Sequence, residues 1–138
     1  MTGEHISKGD FVVEYVGELV SAAEADRRAT LCPEAGTYHF QVPSGRTAAR
    51  EHDVIIDAYT VRNVAAFINF SCEPNLEARP IAAQSGDPRL NRVGFFATRD
   101  VVPGEELSYR RDKNAFTKKS REGALRCLCG SAKCIGVV

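Results

Sequence analysis

The stretch Phe67-Ile68-Asn69-Phe70-Ser71-Cys72-Glu73-Pro74-Asn75-Leu76 constrains this chain more than any other. An apolar run breaks there into asparagine, serine and cysteine and then an X-Pro step, which marks a place where the backbone leaves an element and presents side chains for use. Taken singly, Asn69 and Ser71 read as capping or turn residues. Cys72 raises the stakes, because further cysteines lie far downstream in Cys127-Leu128-Cys129 and at Cys134. Thiols that meet across such a separation require a folded site. The count of five cysteines is odd, and their late clustering fits metal ligation better than a secreted disulfide framework. The remaining one, Cys32, has no cysteine or histidine nearby at ligand spacing and reads as a small buried or half-buried apolar residue.

At 138 residues the chain has the length of one domain with a single core. Its 18 basic residues balance 18 acidic ones, so no global positive field holds nucleic acid, and direct DNA binding is not expected. No apolar run is long enough to cross a membrane, and the first residues carry charges where a secretory signal has an apolar core. No membrane partner is expected, and the chain reads as intracellular.

The run Phe11-Val12-Val13-Glu14-Tyr15-Val16 is β-branched and aromatic and predicts a strand, closed by Gly17-Glu18. Alternation puts Phe11, Val13 and Tyr15 on the inward face, where the Tyr15 hydroxyl needs a partner. Taken alone, Tyr15 reads as a core aromatic. Ser21 with Glu24 forms a capping box for a helix over 22–31, which Cys32-Pro33 ends. A second strand over 37–42 puts Tyr38, Phe40 and Val42 inward and His39 toward solvent. Residues 43–53 read as a polar, hairpin-like loop before a short buried strand over 54–58. Asp57 ends that strand and caps a helix from about Thr60, where Val61, Val64, Ala65 and Ile68 fit an i, i+3, i+4, i+7 stripe. This helix delivers the corner at Asn69. Residues 77–83 and 92–98 read as a hairpin. Pro103-Gly104 centre a type II turn into a last strand over 106–111, with Leu107, Tyr109 and Arg111 on one face. The basic run over 113–126 reads as a solvated linker. Many short strands and few helices predict a mainly β fold of the α+β class.

These pieces, in this order, resemble a SET domain, the lysine methyltransferase fold, with its cysteine-bearing post-SET tail. The matching residues are Ile6 to Glu18, Ile56-Asp57-Ala58, Phe67 to Asn75, Phe95-Phe96-Ala97, Gly104-Glu105-Glu106-Leu107, and Cys127-Leu128-Cys129-Gly130 with Cys134. Each is weak alone, and their order and spacing carry the resemblance. It is nearest to the Su(var)-type histone methyltransferases that write the heterochromatin mark. It implies small curved sheets around a pseudoknot, a SET domain over 1–112, a linker over 113–126 and a post-SET tail over 127–138. It implies histone-lysine N-methylation with S-adenosylmethionine, on a histone tail among chromatin proteins in the nucleus. By position, Tyr15 and Tyr38 match channel tyrosines, Asn69 matches the cofactor-binding asparagine, and Cys72, Cys127, Cys129 and Cys134 match a structural zinc site.

Several departures bear on activity. Where the family has R-F-I-N-H-S-C, this chain has Ala66 and Phe70 in place of the arginine and histidine, so Phe70 is expected to give a weaker cofactor contact. The family's glycine-rich cofactor loop precedes the first motif, and residues 1–4 are not expected to supply it. Arg111 stands where similar enzymes have the catalytic tyrosine. A fixed charge about 4 Å from a sulfonium repels it by roughly 4 kcal/mol at an effective dielectric of 20. Tyr109, two residues earlier on the same expected face, is then the phenol that a local register shift would present in its place. The chain therefore reads as a methyltransferase, with a degenerate SET module that binds chromatin or a histone tail as the alternative, and a zinc-stabilised subunit as the plainest reading.

Overall fold

The computed structural model describes residues 2–42, 54–111 and 126–136. The expected loop over 43–53 and the linker over 113–126, apart from Arg126, lie outside the described residues. Two compact units alternate along the chain: one comprises Met1–Val12, Ile68–Ala78 and Phe96–Val138, the other Val13–Phe67 and Arg79–Phe95. The strands are β1 (Phe11–Glu14), β2 (Glu18–Ser21), β3 (His39–Gln41), β4 (Val54–Asp57), β5 (Asn69–Phe70), β6 (Leu76–Ile81), β7 (Arg92–Ala97) and β8 (Ser108–Tyr109). They pair as a five-stranded sheet in the order β1-β7-β6-β8-β5 and a three-stranded sheet in the order β2-β4-β3. Among the described residues the only α-helix is α1 (Ala22–Leu31). The mainly β class expected from the run of short strands is what forms, and β6 and β7 are neighbours as a hairpin requires.

In the unit holding residues 13–67 and 79–95, β2 and β3 flank β4 antiparallel, with Glu18 and His39 both opposite Asp57. β2 was not expected. The residues after Gly17 read as the close of the first strand, whereas Gly17 separates two strands: a Cβ there would sit 2.6 Å from the Asp57 carbonyl oxygen, so only glycine permits the approach. Helix α1 starts where the capping box places it, with Ser21 Oγ accepting from the Glu24 N–H at 3.2 Å. The Glu24 carboxylate turns outward to Arg27 and Arg28. A 3-10 turn over Pro33–Tyr38 replaces the first part of the expected second strand, so Tyr38 lies on a turn and only His39–Gln41 extends. His39 is not solvated: its side chain is 13% exposed, with Nε2 3.7 Å from Asp57 Oδ2. Asp57 is itself buried, which its links to Arg28 Nη1 and the Tyr59 N–H, each 2.9 Å, make tolerable. It caps no helix. Residues 64–67 make a single 3-10 turn, because Asn63 accepts the Ala65 N–H through its side chain and donates to the Glu14 carbonyl, drawing the backbone off a helical course. The apolar stripe splits accordingly: Ala65 is buried and Ile68 half-buried, while Val61 and Val64 are exposed. The core is built on Tyr15, Phe40 and Phe95, whose ring centroids lie 5.1 to 6.2 Å apart.

In the other unit, β8 lies between β5 and β6 and runs parallel to both, with Phe70 and Leu76 each opposite Tyr109. A strand from residue 108 thus inserts between segments near 70 and 76, the lacing that the resemblance implies. Asn75, almost wholly buried, sews it together: its Nδ2 donates to the Glu106 carbonyl and its Oδ1 accepts from the Ser108 N–H, both at 2.8 Å. These bonds take backbone groups that a longer ladder would use, and the expected strand over 106–111 shrinks to Ser108–Tyr109. The preceding turn forms as expected, with Gly104 at φ +86° and the Glu105 N–H on the Val102 carbonyl at 3.2 Å. Phe11 is 55% exposed, not a core residue, and packs edge-on against Phe96. Leu76, Ala97 and Val101 fill this unit's interior.

Candidate active site and metal centre

Four thiols converge in the unit that carries the corner. The Sγ atoms of Cys72, Cys127, Cys129 and Cys134 all lie within 4.8 Å of one another, with Cys72 3.8 Å from Cys127 and 3.9 Å from Cys134. A disulfide needs about 2.05 Å. A tetrahedral zinc with Zn–S bonds of about 2.3 Å separates its sulfurs by about 3.8 Å, so the four thiols fit a closed zinc site. The electrostatics agree with that use. Backbone hydrogen bonds from Cys72 and Ser131 hold Cys129 down to about 6. Cys127 gains from a backbone hydrogen bond at Cys129, yet burial and its three neighbouring thiols push it up to about 12. A divalent cation at the cluster would hold Cys127 deprotonated against that push. The Ile135 N–H points at Cys72 Sγ, and the tail is tied down further by Ser131 Oγ and Lys133 Nζ on Glu73. Cys32 stays apart, half-buried, with its Sγ on the Tyr59 hydroxyl at 3.5 Å.

The corner itself carries Asn69 and Phe70 on β5, opposite Ser108 and Tyr109 on β8. Asn69 is exposed, and its Nδ2 donates to Glu106 Oε1 at 2.5 Å. That bond fixes the carboxamide while using one of its two N–H groups. Tyr109 is buried, its ring 5.0 Å from Phe70 in a T-shaped contact, and its carbonyl accepts the Ser71 N–H. Arg111 lies beyond the end of β8, with its guanidinium 5.3 Å over the Phe70 ring. Two of the departures from the family pattern, Phe70 and Arg111, are therefore one stacked pair, in which the aromatic face takes up the charge.

The other unit places Tyr15 and Tyr38 together. Tyr15 is buried, and its hydroxyl donates to the Tyr38 carbonyl at 2.8 Å, the partner its inward position called for. The Tyr38 ring is half-buried, with Tyr59 5.6 Å away and the Arg62 guanidinium 5.4 Å from its centroid. Three of these residues escaped the reading of the sequence. Glu106 lay inside a recognised motif and could have been weighed as the partner of Asn69. Asn75 sits beside Pro74, where a turn role is the ordinary reading. Arg62 gave no signal, since it fell within a stripe that reads as helix.

Residues 1–110 match the family model described as the SET domain. The chain belongs to the SET domain family. Over 98% of its length this SET chain is 32% identical to the histone-lysine N-methyltransferase SUV39H2 of Xenopus tropicalis, and over 78% it is 40% identical to SUV39H1 of Xenopus laevis. It spans 35% and 25% of those relatives' own lengths. Among solved structures it is similar to the crystal structure of KRYPTONITE in complex with mCHG DNA and SAH, with a TM-score of 0.76 and 30% identity over 98% of this chain and 25% of that one. The resemblance carried by the ordered motifs is borne out, at the level of the family and of its Su(var)-type relatives.

Proposed function

We propose that this SET chain is a protein-lysine N-methyltransferase that carries a methyl group from S-adenosylmethionine to a lysine of a histone tail. The observation that supports it most is that both relatives are named histone-lysine N-methyltransferases, while the Kryptonite structure holds SAH. When bound, S-adenosylmethionine supplies an electrophilic methyl group on a sulfonium. The chain's own residues have to align a neutral amine with it and exclude water. Tyr15, Tyr38 and Tyr109 are the phenols assigned to orient the amine. The Tyr15 O–H donates its hydrogen bond to the Tyr38 carbonyl, which leaves the phenol oxygen's lone pairs as acceptors for a lysine N–H. Asn69, held by Glu106, keeps a second N–H and its carbonyl oxygen for the cofactor, and Phe70 offers an apolar surface beside it. Cys72, Cys127, Cys129 and Cys134 hold zinc and so fasten the tail over 127–138, read as post-SET, to the SET domain over 1–112.

A histone substrate implies a chromatin role in the nucleus, with chromatin proteins as further partners. Balanced charge argued against direct nucleic-acid contact, but the Kryptonite complex contains DNA, and net charge is too coarse a quantity to exclude a local contact. A second reading, a module that holds a histone tail without modifying it, draws support from the fixed charge of Arg111 on Phe70. Calorimetric titration of S-adenosylmethionine into the zinc-loaded chain separates the two. Binding by the wild type supports the enzyme. Binding by Arg111→Tyr alone makes Arg111 the lesion, and binding by neither supports the tail-holding module.

A further inference from the structure

Arg62 lies close to two aromatic rings at once. Its guanidinium carbon is 5.4 Å from the Tyr38 centroid and 5.0 Å from that of Phe67, both within the range of a cation–π contact. Tyr38 and Phe67 come from separate 3-10 turns, Pro33–Tyr38 and Val64–Phe67, so the fold gathers them around one cation. Phe67 is two-thirds exposed, so the face of its ring is open to a side chain from outside the chain once Arg62 leaves it. A guanidinium recognised in this way is chemically close to a lysine ammonium or its methylated forms, which draw on the same ring quadrupole.

We propose that Arg62 is a gate supplied by the chain itself: it occupies the Tyr38 and Phe67 faces that a cationic side chain of an incoming peptide would use, and it must leave for that side chain to bind. The gate rests on the reading of Tyr38 as a residue of the lysine site. It adds a competition term to peptide binding and makes Arg62 a determinant of affinity without a part in bond making. Because Arg62 is exposed, its replacement spares the core, and Arg62→Lys keeps a cation with a more compact charge.

The test is the affinity of a lysine-bearing histone-tail peptide, measured by fluorescence anisotropy on the zinc-loaded chain, for wild type, Arg62→Ala and Arg62→Lys. Arg62→Ala is expected to bind about fivefold to thirtyfold more tightly than wild type, with Arg62→Lys in between. A control peptide with norleucine for lysine gains nothing. In proton–nitrogen spectra the Arg62 Nε–H resonance of the wild type moves away from its ring-shifted position as the peptide is added. Unchanged or weaker binding by Arg62→Ala, or equal gains for the norleucine peptide, overturns the gate. Methyl transfer is followed in the same samples: its absence with tightening intact counts against the enzymatic reading alone, and its presence without tightening counts against the gate alone.

Discussion

Replacing Asn75 with alanine should unsettle the lacing of β8 between β5 and β6. The side chain makes two bonds of 2.8 Å, to the Glu106 carbonyl and from the Ser108 N–H, and the residue is 2% exposed. Asn75 itself is closed to water, while its partners Ser108 and Glu106 are half-buried and exposed, respectively. A backbone group left buried and unsatisfied costs about 1–3 kcal/mol, so losing both partners costs at most about 2–6 kcal/mol. Against the 5–15 kcal/mol typical of a folded domain, that is a large share. Urea denaturation of the zinc-loaded protein, followed by tyrosine fluorescence and extrapolated linearly, gives the number. Asn91→Ala is the matched control, because Asn91 Oδ1 accepts a single 3.2 Å bond from the Ala83 N–H at a half-exposed position and should cost about 1 kcal/mol or less. If Asn75→Ala is no worse than Asn91→Ala, the side chain does not sew the strands together and the argument fails.

Zinc analysis of the purified chain should find about one metal per chain, abolished by Cys72→Ala and untouched by Cys32→Ala, and chelation should lower the melting temperature. A metal count unaffected by Cys72→Ala would mean that the thiol cluster is not the site. A double-mutant cycle on Phe70→Leu and Arg111→Met should give a coupling of about 0.5–1 kcal/mol in stability, and additive effects would show the stacked pair to be inert. Glu105, hydrogen-bonded by Arg99, and Glu24, hydrogen-bonded by Arg27 and Arg28, are each held down to about 2 from an ordinary value of 4.5. Their folded-state values are depressed, so the stability they contribute is complete above 4.5 and is lost as pH falls toward 2. Glu105→Gln should flatten that part of the stability profile, and an unchanged slope would refute the assignment.

What could be read in the chain beforehand was what local chemistry decides. Ser21 starts α1 because a hydroxyl acceptor suits the first free N–H groups of a helix, and Gly104 makes its turn because φ +86° excludes most other residues. The cysteines were legible because thiols so far apart in sequence share only a folded purpose. The failures arise where side chains from distant segments compete with the backbone. Asn63 broke a helix that the apolar stripe over 61–68 favoured, and Asn75 shortened a strand that alternation favoured. His39 was placed on the solvent side because alternation carries no information about Asp57, which arrives from β4. Likewise, Phe70 and Arg111 looked like separate defects until the pairing of β5 with β8 brought one over the other.

Mass spectrometry of a histone-tail peptide incubated with the zinc-loaded chain and S-adenosylmethionine tests the enzymatic reading most directly. The predicted result is a methyl-group gain on a lysine, lost in a Tyr15→Phe, Tyr38→Phe and Tyr109→Phe triple variant that still binds the cofactor. An unmodified peptide under conditions where calorimetry shows S-adenosylmethionine bound would contradict it and leave a domain that holds its ligands without joining them.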